Sequence, residues 1–314
     1  MQRAYRLERI SRQRSVIPFN QQALECGIKP ELVVFALYGV LERSRSCHVS
    51  VNELNVYRAA TLNYTIPHIR IGFGIDMSGH PIDETYVPAN VTEQSIGALN
   101  LTEVSFMKVS EIDGSIENIY CNSRDQSLHK VCEVPFWRDD YSTHKIRRAL
   151  RAMYCEHRIA ELLQAFDVNT RTVVIVLSAD IMLNKPLQQE DILAASCSPG
   201  KVFLTQNNDG SDGYTDGFYV GHLAAIRATL STFDLLPLHF RSGLREQPYE
   251  FLLKATCIHW NITRAVLRGF GSFLKDFVKI RANGKIFGNL PCASKDMMDM
   301  EVCPQLKHSK CSHI

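Results

Sequence analysis

A short apolar run fills "ELVVFALYGV" (31–40) after its leading glutamate, another is "VVIVL" (173–177), and "IPHIRIGFGI" (66–75) is a third stretch rich in isoleucine. Short apolar runs bounded by turn residues suit strands buried on both faces. "KVFLT" (201–205) is a further strand, and "EVSFMKV" a short one in a region, up to about residue 137, otherwise punctuated by Gly, Pro, Ser and Asp. Between these lies a different period. In "YSTHKIRRALRAMYCEHRIAELLQAF" the residues Ile146, Ala149, Leu150, Met153, Ala160 and Leu163 fall at helical spacing, which predicts a long amphipathic helix with one core face. A shorter helix is expected over 49–60. Pro248 stands where the first residue of a helix would, and Asn283-Gly284 predicts a hairpin between two strand-like runs. Strands separated by helices indicate an α/β protein with a mostly parallel central sheet flanked by helices, including 32–37, 173–177 and 202–205. One domain is expected over 31–290, with an N-terminal extension at 1–30 and a polar tail at 291–314.

Composition changes this picture little. In a chain of 314 residues, 45% hydrophobic and 22% charged content are ordinary globular values, and a net charge of +2 argues against bulk nucleic-acid binding. No apolar window is long enough to span a membrane, and the arginine-bearing N-terminus has no apolar segment behind it of the kind a secretory signal needs. The expected location is cytoplasmic. The ten cysteines contain no CxxC pair, so reduced, unpaired thiols are expected. N-x-S/T occurs four times, at Asn63, Asn90, Asn100 and Asn261, against roughly two by chance. That excess is too small to move the chain into the secretory pathway.

Candidate chemistry centres on one question. The strand 173–177 runs into Ser178, Ala179 and then a carboxylate, Asp180, at a place where burial is costly for a charge. In a parallel sheet, ligands bind beyond the carboxyl ends of the strands, so Asp180 either faces a ligand or caps the element after Met182. The loop 207–217 holds Asp209, Asp212 and Asp216; the first two read as solvated, whereas Asp216 directly precedes the apolar "FYVG". Arg147, Arg151, Tyr154 and Arg158 form a helical stripe, which is either a solvated face or a basic surface aimed at phosphates. Phosphate-loop signatures, HExxH and GxSxG are absent. The cysteines and histidines of the tail match no common zinc module.

Taken in order, these stretches resemble the GT-A-fold glycosyltransferases, in particular the small glycosyltransferase-like proteins of algae, protists and large DNA viruses. The likeness rests on "VVFALYGVLERS", "RRALRAMYCEHRIAELL", "TVVIVLSADIMLNKPL" and "GYTDGFYVGHLAAIRATLSTF", with "REQPYEFLLKATCIHW" as a weaker fifth match, over about residues 31 to 265. It implies a GT-A-like (Rossmann-like) domain that moves a sugar from a nucleotide-sugar donor to a glycan or other hydroxyl acceptor. The alternative is a catalytically inactive glycosyltransferase-like protein that binds sugar or serves as a scaffold. The resemblance places Tyr38, Gly39, Ser178, Asp180 and Arg158 at the donor, with either Glu42 or Arg43 beside it. It makes Asp180 the contact to a divalent cation, Mn²⁺ or Mg²⁺, or to the donor ribose, and Asp216 or Glu250 the catalytic base. Where the family carries an acid pair, this chain reads Ser178-Ala179-Asp180, with only the last acid present.

Overall fold

A computed structural model describes residues 28–41, 52–77, 81–82, 85–86, 99–121, 143–183, 185–205, 213–244, 249–270, 277–280 and 286–287. The strands are β1 (Leu32–Gly39), β2 (His68–Asp76), β3 (Pro81–Ile82), β4 (Thr85–Tyr86), β5 (Glu103–Lys108), β6 (Thr172–Ser178), β7 (Ile181–Leu183), β8 (Lys201–Leu204), β9 (Phe218–His222), β10 (Thr263–Val266), β11 (Phe277–Ile280) and β12 (Ile286–Phe287). The α-helices are α1 (Val109–Ile116), α2 (Thr143–Leu162), α3 (Gln189–Ser196), α4 (Leu223–Thr229), α5 (Thr232–Arg241) and α6 (Tyr249–His259).

Seven strands form one sheet in the order β10-β8-β9-β6-β1-β2-β5. β1 pairs in parallel with both β2 and β6, β2 with β5, and β8 with β10. β9 alone runs antiparallel, against β6 and β8. The protein is therefore α/β with a mostly parallel mixed sheet and helices packed on it. The expected strands are present, and "EVSFMKV" is β5. The segment expected to be a helix within 49–60 is a π-helical turn at Glu53–Arg58. Pro248 and the Asn283-Gly284 turn lie outside the described residues, but the strands flanking that turn, β11 and β12, pair antiparallel as a hairpin would.

The central strands are apolar throughout because both of their faces are covered. Val34, Ala36, Val174 and Val176 point into a core closed by α1, α2, α4, α5 and α6, whereas Val33, Phe35, Val173 and Ile175 point into a second core against the π-helical turn and α3. Alternation of side chains along each strand forces this division. Each valine, isoleucine or phenylalanine among them contributes about 1.5–3 kcal/mol when fully buried. On α2 the expected face is broadly correct: Leu150 and Met153 are buried, Ala149 and Ala160 half-buried, and Leu163 is buried in the 3-10 turn that follows, while the Ile146 side chain lies outside the described residues. Tyr154, Cys155, Glu156 and Ile159 are buried too, so α2 is sunk deeper than its sequence pattern indicates.

Two expectations need correction. Cys121 and Cys197 are each disulfide-bonded, so the cysteines are not uniformly reduced; Cys155 and Cys257 are free and buried. Nor is the α2 stripe a free basic face among its described side chains, which leave out Arg147. Tyr154 belongs to the core, and Arg151 is committed to Asp113 of α1 through two bonds of 2.7 and 2.6 Å. Among the described residues, no helix is long and apolar enough to cross a membrane.

Candidate functional site at the carboxyl edge of the sheet

Asp180 sits in the turn between β6 and β7, at the carboxyl end of the central strand, and is only 6% exposed. The element that follows is a strand, so Asp180 is not a helix cap. The turn is fixed from several sides. Ser178 Oγ donates to Asp180 Oδ1 at 2.7 Å, Ala179 N donates to Tyr38 O at 2.9 Å, and Ser178 N donates to Gly217 O at 2.8 Å. β7 pairs antiparallel with β11 along one edge. Along the other, Asn52 replaces a strand: its Nδ2 donates to Ile181 O at 2.7 Å and its Oδ1 accepts from Leu183 N at 3.0 Å. Asn55 Nδ2 adds a bond to Leu183 O at 2.7 Å. Two asparagines three residues apart thus satisfy a short strand whose backbone would otherwise be buried without partners.

Asp216 reaches the same edge two residues ahead of β9. Because β9 is antiparallel, its first residues meet the last residues of β6, with Phe218 opposite Leu177. Gly217, the connecting residue, has a φ of +86°, and a Cβ there would lie 2.8 Å from Ile181 Cδ1 and 3.6 Å from Ser178 Cβ. Only glycine fits both the dihedral and the space. Gly39, at the end of β1, has a φ of +102° and would place a Cβ 3.9 Å from Ser178 Oγ. Glu250 is the second residue of α6, and its carbonyl accepts from Tyr214 N at 2.9 Å, which ties the loop before Asp216 to that helix.

Directly beneath this edge lies a group that the sequence pattern did not reveal. Glu156 of α2 is fully buried and accepts hydroxyl hydrogen bonds from three tyrosines: Tyr38 at 2.7 Å, Tyr219 at 2.9 Å, and Tyr249. Tyr219 Oη in turn accepts from Gly217 N at 3.2 Å, which directs its proton towards Glu156. Burial raises the Glu156 carboxyl to about 7 against the pull of the three hydroxyls, and the Asp216 carboxylate pushes it up further. Tyr38 and Tyr219 are raised well above the usual tyrosine range, by burial first and by Glu156 next, with Asp216 contributing. Asp216 is therefore within electrostatic reach of the buried cluster. One signal could have pointed to Glu156: it lies three residues beyond Met153, in the gap the apolar series leaves before Ala160.

Tyr38, Gly39, Ser178, Asp180 and Asp216 are thus assembled at one edge, with Glu250 anchoring the loop. Arg158 is spent differently. It pairs with Glu161 on its own helix and its guanidinium lies 5.7 Å from the centre of the Phe73 ring. Arg43 and Glu42 lie outside the described residues. As a metal centre this edge is short of ligands: Asp180 is the one acid of its turn, Ser178 occupies one of its oxygens, and no group of three His, Cys, Asp or Glu suited to a metal occurs among the described residues. Mg²⁺ is commonly bound through one or two carboxylates, with water and substrate phosphates supplying the other ligands, so a cation at Asp180 would depend on a bound donor.

Fold and site together define an α/β protein with a polar, acid-bearing edge where the parallel strands end. No protein-family model matches the chain, and no curated protein matches it.

Proposed function

We propose that the chain is a GT-A-like glycosyltransferase, moving a sugar from a nucleotide-sugar donor to a hydroxyl acceptor at this edge. The observation that carries the reading is the convergence of Tyr38, Gly39, Ser178, Asp180 and Asp216 from three separate stretches of chain on the carboxyl ends of the central strands. Such a reaction expels a nucleoside diphosphate and takes a proton from the acceptor hydroxyl. It needs one group to orient the donor and another to receive the proton. Asp180, held by Ser178, has the fixed geometry of the first; Asp216, half-buried beside the tyrosine cluster, is the base, with Glu250 the other carboxylate of the same loop and helix. Among the described residues no group of three His, Cys, Asp or Glu gathers here, so no step is assigned to a cation.

A second reading, a glycosyltransferase-like protein that binds sugar nucleotides without transferring, is favoured by the serine at the position of the first acid. Thermal shift against UDP, GDP and CMP, each with and without Mn²⁺, tests what both readings share. A nucleotide at a hundred times its Kd stabilises by about 2.7 kcal/mol. Asp180→Asn keeps the shape and the acceptor for Ser178 while removing the charge. Melting temperature should be unchanged or slightly higher, and transfer should fall by about 2.7–4 kcal/mol in transition-state terms. A lower melting temperature with unchanged nucleotide affinity would sink the assignment, and binding without any transfer would select the second reading.

A further inference from the structure

The opposite edge of the sheet carries a pattern that the proposed chemistry does not use. Asn63, Asn100 and Asn261 each begin an Asn-x-Thr triplet, and each stands just before a strand: β2, β5 and β10 respectively. Those three strands are parallel to β1, so all three asparagines lie at the amino edge, away from Asp180. Each asparagine is exposed, as is each threonine two residues on, Thr65, Thr102 and Thr263. All three asparagines are in the left-handed region, with φ of 56°, 50° and 56°. Asparagine tolerates that region better than most residues, so a turn alone accounts for the asparagine. It does not account for a threonine at the same interval three times. Disulfide bonding of Cys121 and Cys197 is a second, independent observation, since disulfides persist where the surroundings are oxidising.

We propose that Asn63, Asn100 and Asn261 carry N-linked glycans, added in the oxidising compartment where the disulfides of Cys121 and Cys197 form. The donor is an oligosaccharide on a lipid diphosphate. The bond from sugar C1 to the diphosphate oxygen breaks, the oxygen keeps the electron pair, and C1 bonds to asparagine Nδ2. The amide gives up one proton to a base of the transferring enzyme, and nothing is oxidised or reduced. Each disulfide forms as two thiols lose two protons and two electrons to a disulfide-bearing oxidoreductase. This location replaces the cytoplasmic expectation, and it stands whether or not the chain transfers sugars.

The test uses the full chain purified from the cells that make it. Glycan removal by an amidase in heavy-oxygen water converts each occupied asparagine to labelled aspartate, read by peptide mass. Label at two or three of the positions is the expected result, and label at one or none overturns the proposal. Thr65→Ala, Thr102→Ala and Thr263→Ala keep the asparagine and its turn but destroy the acceptor triplet, so each occupied site should lose one glycan step in mass. Alkylation without reduction should leave Cys121 and Cys197 unlabelled; ready alkylation of both in the same material would overturn the oxidising location.

Discussion

Two glutamates on opposite faces of the sheet accept hydrogen bonds from tyrosine, and they end in opposite electrostatic states. Among the described residues Glu156 meets three hydroxyls and no cation, and burial lifts its carboxyl to about 7. Glu53, in the π-helical turn, accepts from Tyr64 and from Arg70, whose Nη1 and Nη2 lie 3.1 and 2.9 Å from its oxygens. Burial pushes Glu53 up as well, but the bonds from Arg70 and Tyr64 outweigh it and hold the carboxyl below its ordinary value. Neutral dipoles satisfy a buried carboxylate geometrically without repaying the loss of water, whereas a guanidinium supplies the missing charge. The first arrangement leaves a proton near neutral pH under the candidate site; the second locks a surface turn.

Glu156→Ala should separate the two most strongly. It leaves three tyrosine hydroxyls facing a cavity, each costing about 1–3 kcal/mol, so unfolding in urea should show a loss of at least about 3 kcal/mol. A loss below about 1 kcal/mol would mean that the tyrosines find other partners and that the cluster does not tie α2, β1, β9 and α6 together.

Glu53→Ala should cost less, about 1–2 kcal/mol. Its side chain is 37% exposed while that of Arg70 is 8% exposed, so the penalty comes from leaving a guanidinium poorly hydrated. If Glu53→Ala proved as damaging as Glu156→Ala, the distinction between the buried cluster and the surface pair would fail.

The smallest effect is the most specific, and it lies in the pH dependence. For Glu156 the folded value of about 7 exceeds the ordinary 4.5, so the folded state holds the proton more tightly. Its stabilisation is complete below about pH 4.5 and is lost as pH rises towards 7. Glu53 behaves in the reverse sense: its contribution is present above its ordinary value and is lost as pH falls through the lower folded one. Asp191, raised to about 6 by burial, follows Glu156; His239, lowered to about 4 by burial, favours the folded state at higher pH. Comparing the parent protein with Glu156→Gln at about pH 5 and about pH 8 isolates one group. The stability the parent loses between those values should shrink in the variant, and an unchanged loss would assign the titration elsewhere.

The apolar runs at 32–37 and 173–177, the period of α2 and the position of Asp180 after a buried strand were all legible in the sequence, because each is a local consequence of side-chain spacing. These carried the α/β class and the carboxyl-edge placement of Asp180. Tertiary structure alone decided the rest. Nothing in "YCEHR" indicates that Glu156 meets Tyr38, Tyr219 and Tyr249, which lie 118, 63 and 93 residues away. Asn52 and Asn55 read as ordinary helix residues until β7 needs their amides. The antiparallel turn of β9 brings Asp216 to the edge, and the parallel course of β2, β5 and β10 sends three asparagines to the other. Spacing along a chain fixes which face a residue takes within its own element. Which distant groups share that face depends on strand order and direction, set only when the whole sheet closes its two cores.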